Sequence, residues 1–415
     1  VKATLHKFIL IVLLLVVIGG KAYSVTTYDW VGTTATTGVY NWNNKLNWQV
    51  AGVAAATIPG PTDIVQIAVN SFTNYPTVTD AESCGSIVFG TFDNFTLTVN
   101  GALTVSGNIN QKNDPNFYQY TVLAGTGTIT CGSFTLGDNT QPNSGLGLVN
   151  NVSSQVAQLN INGNLTLNSV GNSTGNGIVY PYFSLDANKI TITGQIVTTT
   201  FSNPLSGGVG DPSFPGLGLF QMDSGTAATT LELLNAAPVL TPVISGFTID
   251  FTNNGTGTGT VIYDATSGTQ TVYTSGTSGL GINNYNYDYL TFSGASKKTV
   301  IGGALTIGND WTTGGAGTVD LNTNNPTITV TGNLINSTNI TQGSGNITVT
   351  NILQNNSNTI TLGSGTLTVS NIMQINAGTV STGSGTVTVS GTFQNNAGTL
   401  ACGSGSVIFG GGYTN

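Results

Sequence analysis

The chain has 415 residues, of which 57 are glycine and only 6% are charged, with a formal net charge of −8. An ordinary globular chain carries about 25% charged residues, so this one must build its surface from Thr, Asn, Ser and Gln. It contains no arginine and a single histidine, His6, which argues against a nucleic-acid partner, since that needs basic patches.

Residues 1–24 read as a secretory signal peptide. Lys2, His6 and Lys7 precede an apolar run from Phe8 to Ile18, and Ala22-Tyr23-Ser24 forms a small-x-small exit. The run is too short for the ~20 apolar residues of a spanning helix. No membrane insertion is therefore expected after signal removal, and the protein is expected outside the cell, secreted or on the outer surface. His6, Lys2, Lys7 and Lys21 leave with the signal, so five lysines face sixteen carboxylates.

Residues 25–80 carry three of the four tryptophans, Trp30, Trp42 and Trp48. Clustered indoles suit either stacking on sugar rings or the closing of an N-terminal cap over a first coil; large aromatic burial in a small segment favours the cap. Residues 81–258 contain alternating stretches such as "FTLTVNGALTVSGNI" (95–109), "LNINGNLTLNSV" (159–170) and "ITITGQIVTTT" (190–200), each ending at Gly or Asn corners. Period-two alternation predicts strands with one buried face. The stretch 203–220, "NPLSGGVGDPSFPGLGLF", breaks the alternation with three prolines and reads as a loop projecting from the coils.

From 259 to 415 the pattern becomes regular. A G-S-G corner recurs at Gly343, Gly363, Gly383 and Gly403. Ile347, Leu367, Val387 and Val407 form one apolar column, and Val349, Val369, Val389 and Phe409 a second. Leu353, Met373 and Phe393 form a third, and Ile360, Val380 and Leu400 a fourth. Three short strands per twenty residues predict an all-β fold, a right-handed β-solenoid (a single-stranded β-helix, pectin-lyase-like) with coils of about 20 residues. Stacked coils place identical residues above one another, where like charges would repel; residues 321–415 carry no Asp, Glu, Lys or Arg. Gln354, Gln374 and Gln394 are expected to form one amide ladder, and Asn356, Asn376 and Asn396 another. Gly259-Thr260-Val261-Ile262-Tyr263 resembles Gly405-Ser406-Val407-Ile408-Phe409, 146 residues later. This suggests a longer module, a chain truncated at its C-terminus, and an open strand edge prone to end-to-end self-association.

Trp30-Val31-Gly32, Asn41-Trp42, Asn47-Trp48, Pro59 and Asp63-Ile64-Val65-Gln66-Ile67, with the blocks "GTVIYDATSGTQTVYTSG" and "YDYLTFSGASKKTV", resemble secreted repetitive β-strand surface proteins of Bacteroidota. The likeness covers most of 28–110 and 259–410. It implies an adhesin-like, haemagglutinin-like or surface-coat component with a β-helical fold, whose partners would be host or environmental glycans or surface proteins.

Three functions remain to be weighed. The first is a non-catalytic structural or adhesin-like rod at the cell surface, displaying loops such as 203–220. The second is ice binding by a Thr-x-Thr face, of which Thr366-Leu367-Thr368 and Thr386-Val387-Thr388 are the clean copies, interrupted by Asn346, Ser406 and Ile408. The third is a β-helical polysaccharide-active enzyme, or the stalk of one. A glycosidase needs a carboxylate pair across the scissile bond. The chain has no Asp-Asp pair, its only glutamates are Glu82 and Glu232, and Lys297-Lys298 has only Asp288 and Asp310 nearby in sequence. Cys84, Cys131 and Cys402 lack zinc-ligand spacing and each precedes a Gly-Ser corner, where they read as small apolar filler. The reading is therefore no enzyme, no cofactor, and no catalytic, cofactor-binding or metal residue.

Overall fold

The computed structural model describes residues 24–33, 39–67, 74–90, 95–112, 119–137, 148–171, 178–185, 188–201, 218–222, 228–240, 247–253, 258–274 and 287–414. The signal peptide through Tyr23 and residues 203–217 of the expected loop lie outside these; Gly218, Leu219 and Phe220 belong to a strand, Gly218–Met222.

The described chain is an all-β solenoid with three faces. A short 3-10 turn at Lys45–Asn47 is the only helical element among the described residues. The first face stacks strands from Ala81–Cys84 through Tyr413–Thr414. The second begins at Thr27–Trp30 and Ile64–Ile67 and reaches Thr399–Ala401. The third runs from Thr77–Val78 and Phe95–Val99 to Ser406–Phe409. The chain visits the faces in that order, and long strands such as Ala102–Gln111 serve both the first and the second. Two places lack a full strand pairing: at one, Thr271 N–H donates to Ala236 O at 2.8 Å, with Gln270 and Tyr273 side chains bonding the same neighbouring coil, and at the other Tyr287 bridges Ile307.

Each coil buries one side of its strands because the sequence alternates. Leu367 pairs with Val387, Val369 with Val389, Met373 with Phe393 and Val380 with Leu400. Leu367, Val387, Val369 and Val389 are all buried, so the columns legible in the sequence are the solenoid interior. Parallel stacking is near universal; the exceptions are Trp48–Val50 against Thr27–Trp30 and against Val53–Ala54, and Val170-Gly171 against Ile178-Val179.

The coil length is less uniform than the expected twenty residues. Between Leu353 and Met373, and between Met373 and Phe393, the step is twenty. Upstream, Val65 lies on Ile87 and Ile87 on Ile109, steps of 22. Leu159 lies on Ile190, a step of 31, and Ile190 on Leu231, a step of 41. Extra chain between strands costs little entropy, about 0.6 kcal/mol per doubling, and the strands keep parallel pairing, with register shifts at Cys131/Ser133 and Gln221/Met222.

The interior changes character along the chain. Phe134, Phe183, Phe220, Phe251 and Tyr287 stack in sequence with centroids 5.6–6.1 Å apart. Tyr263, Phe292 and Trp311 continue the run. Beyond Trp311 the next aromatic in the sequence is Phe393, and the intervening core is aliphatic, with a buried polar column. Thr313 Oγ1 donates to Asn336 Oδ1 at 2.6 Å, and Asn336 Nδ2 to Asn355 Oδ1 at 2.7 Å.

At the G-S-G corners a second glycine column, Gly345, Gly365, Gly385 and Gly405, stacks backbone on backbone. A Cβ at Gly365 would collide with the carbonyl of Gly345, and one at Gly385 with that of Gly365. Close approach of the backbones, rather than turn geometry, dictates glycine there.

Trp30, Trp42 and Trp48 are buried, with Trp48 edge-on to both others at 4.8 Å. Trp48 Nε1 donates to Trp42 O at 2.7 Å and Trp30 Nε1 to Asn74 O at 2.8 Å. The indole faces are turned inward and closed to a sugar ring.

Candidate functional site: a threonine face

Among the described residues the charged groups stand apart from one another, singly or in pairs. Lys297 pairs with Asp320 at 2.6 Å, whereas its neighbour Lys298 turns into the interior, 2% exposed, and donates to Ser296 Oγ at 2.5 Å. Burial pulls the Lys298 ammonium down to about 8, against the favourable charge of Asp264. Asp288 accepts the Gly259 N–H and Asp310 the Asn333 N–H, so both brace corners between coils. Glu232 pairs with Lys189 at 2.9 Å and accepts from Thr191. Glu82 is raised, first by burial and then by Asp80. Among the described residues no three His, Cys, Asp or Glu side chains gather into a cluster.

The cysteines divide. Cys84 and Cys131 are buried in the first face, where desolvation raises each thiol to about 12. Cys402 is exposed.

The third face between Ala304 and Phe409 is the most regular surface. Its strands Ala304–Ile307, Thr327–Val330, Ile347–Val349, Thr366–Val369, Thr386–Val389 and Ser406–Phe409 form one parallel sheet. Leu305, Ile328, Ile347, Leu367 and Val387 point inward, so the residues between them point out. One outward column reads Thr306, Thr329, Thr348, Thr368 and Thr388, ending at Ile408. The other reads Ala304, Thr327, Asn346, Thr366, Thr386 and Ser406.

The expected array of two clean copies is thus five deep in one column. As a paired array it is still interrupted at Asn346, Ser406 and Ile408, as expected; the depth of the one column escapes a fixed twenty-residue frame because the coils 304–307 and 327–330 lie outside the G-S-G phrase and stand 23 residues apart. The signal that finds them is the alternation of an inward aliphatic with an outward threonine, Leu305 before Thr306 and Ile328 before Thr329.

The two columns differ in how their hydroxyls are satisfied. In the outer column Thr366 Oγ1 donates to Asn346 Oδ1 at 2.8 Å, and Thr386 and Ser406 share a bond at 3.1 Å. In the five-threonine column no side chain hydrogen-bonds to protein, so all five hydroxyls face water. Coils stack ~4.8 Å apart, and i, i+2 positions along a strand lie ~6.6 Å apart, so the face is a two-dimensional grid of hydroxyl and methyl groups. β-Branching holds each threonine near one χ1, which pre-sets the grid.

The other faces are different. On the first face Gln354 Nε2 donates to Gln374 Oε1 at 3.0 Å and Gln374 to Gln394 at 2.7 Å. Asn396 donates to Asn376 and Asn376 to Asn356. Both expected ladders are present, and Asn371, Asn351 and Asn333 add one at another corner. The second face carries Thr359, Thr379 and Thr399 in one column and Thr341, Thr361 and Ser381 in the other, but Asp320, ion-paired with Lys297, stands next to Thr341 in the second of these columns. Comparison with protein families, with curated proteins and with solved structures finds no match to this chain.

Proposed function

We propose that this chain is a non-catalytic, secreted or outer-surface β-solenoid, adhesin-like in action, that attaches to an extended surface through the uncharged stretch of its third face between Ala304 and Phe409. The observation that carries the reading is the column Thr306, Thr329, Thr348, Thr368 and Thr388, in register and with hydroxyls unused by the protein. A protein that only needed a soluble outer face would scatter charges over it; here 95 residues from Leu321 onward carry none. Many weak, identical contacts on a stiff sheet add without ordering flexible groups, which lowers the entropy cost of attachment. The chemistry of the face suits neutral, hydroxyl-rich or water-like surfaces: glycan coats, neutral surface proteins or ice.

The test is attachment of the labelled mature chain to glycan-coated beads, bacterial cells and ice, compared with Thr368→Lys and with a deletion of 203–217, which spares the strand Gly218–Met222. The reading expects Thr368→Lys to lose attachment while the deletion retains it. Loss on the deletion alone moves the site to that loop, and no attachment to any of the surfaces overturns the reading.

A further inference from the structure

The geometry points to ice as the occupant of the third face; this rests on the reading of that face as the attachment surface and names its ligand. Three observations favour a water lattice over a glycan or protein partner. The grid repeats at ~4.8 Å along the solenoid and ~6.6 Å along each strand, close to the oxygen repeats on surface planes of hexagonal ice. The hydroxyls of Thr306, Thr329, Thr348, Thr368 and Thr388 are free to bond water, because none is taken up by a protein group, in contrast to the outer column. Flanking methyls discourage competing water orientations, so the bound layer is set by the grid.

The third observation is what the face lacks. Recognition of crystalline or single-chain sugars uses an exposed aromatic to stack on the ring, and protein hot spots are enriched in Trp, Tyr and Arg. Across the five-threonine column there is neither an aromatic nor a charge. A fixed charge would hold its own hydration shell and break the lattice; the second face has such a defect in Lys297 and Asp320. The inference is therefore specific to one face, although both are rich in threonine.

The experiment measures thermal hysteresis and partition of the mature chain into a slowly growing ice front. Three single variants are compared with it: Thr348→Lys and Thr368→Lys on the third face, and Thr361→Lys on the second. Melting temperature and circular dichroism are recorded for each. The unmutated chain is expected to show hysteresis and to enter the ice. Each third-face variant is expected to lose at least half of the hysteresis at unchanged fold, and Thr361→Lys to retain it. Absence of hysteresis and of ice partition in the unmutated chain overturns the inference, as does equal loss in all three variants. If ice fails while glycan-bead or cell attachment survives and is lost in Thr368→Lys, the ligand is wrong and the attachment face stands; if every attachment fails, both fall.

Discussion

The solenoid upstream of Trp311 and the solenoid downstream of it use one winding with two different interiors. Upstream, coils of 21 to 41 residues stack on an aromatic run from Phe134 to Trp311. Downstream, coils of about twenty residues stack on aliphatic columns and on the buried Thr313, Asn336 and Asn355. Side chains of different size fit only one neighbour, so the upstream register is set by shape and tolerates long corner insertions. Identical coils downstream fit one another in any order, so their register rests on corner glycines and on the buried bonds of Thr313, Asn336 and Asn355. The uniformity that makes that register easy to slip also creates a flat repeating outer face, which the upstream region, with its ion pair of Lys189 and Glu232, does not have.

The comparison can be broken most forcefully at the aromatic run. Phe220→Ala should cost about 3–5 kcal/mol, seen in hydrogen exchange as local opening around Gly218–Met222 while coils beyond Trp311 keep their protection. Loss of protection in both regions together would show one cooperative unit instead of a nearest-neighbour stack. Next in size, Gly385→Ala should cost about 3 kcal/mol, because a Cβ meets the Gly365 carbonyl and must separate two coils. Gly314→Ala, with open space around it, should change the melting temperature little. Asn355→Ala should cost about 1–3 kcal/mol by leaving the buried Asn336 amide short of a partner.

The parts of this architecture that the sequence makes legible are chiefly those where one residue type recurs at fixed spacing. The columns through Leu367 and Val387 and the glutamine and asparagine ladders follow from alternation and repetition, whereas the burial of Trp30, Trp42 and Trp48 is legible only from three large aromatics crowded into one short segment. Two things follow from neither. The threonine column reaches back to Thr306 because strands, not residue counts, set the register, and Thr306 stands outside the repeated phrase. Lys298 sits on the apolar side of its strand, between Gln270 and Val319. A Lys-Lys pair reads as a solvated face, and only the stacking of coils shows that one ammonium is interior.

Titration separates the two regions more gently. Burial works against ionisation of Asp320, yet Lys297 and Thr323 hold its carboxyl down to about 2. Its folded pKa lies below its unfolded value, so the stabilisation is full above about pH 4 and is lost as pH falls through about 2, an effect of about 1 kcal/mol after solvent screening. Lys298, lowered to about 8, works on the alkaline side: the unfolded chain holds its proton to higher pH, so stability rises with pH from about 8 to about 10. Coils 321–400 contain no Asp, Glu, Lys, Arg, His, Cys or Tyr. Once exchange is corrected for intrinsic pH dependence, their local opening should be flat with pH while that around Lys297–Val300 should vary. Smallest of all, Gln374→Ala on the outer ladder should cost no more than about 1 kcal/mol, because water replaces the lost amide; a larger loss in thermal melting would mean that outer ladders, rather than the interior, set the downstream register.

The central claim is that coils beyond Gly303 stack in register and bring five threonines into one straight column. Spin labels at Thr306 and Thr388, with exposed Cys402 replaced by Ser, measure it directly by pulsed dipolar spectroscopy. Four coil steps place the two backbones ~19 Å apart, so the account predicts one narrow distance distribution centred near that value after allowance for the label arms. A broad distribution, or a main distance beyond ~30 Å, would contradict in-register stacking at ~4.8 Å per coil and remove the threonine face with it.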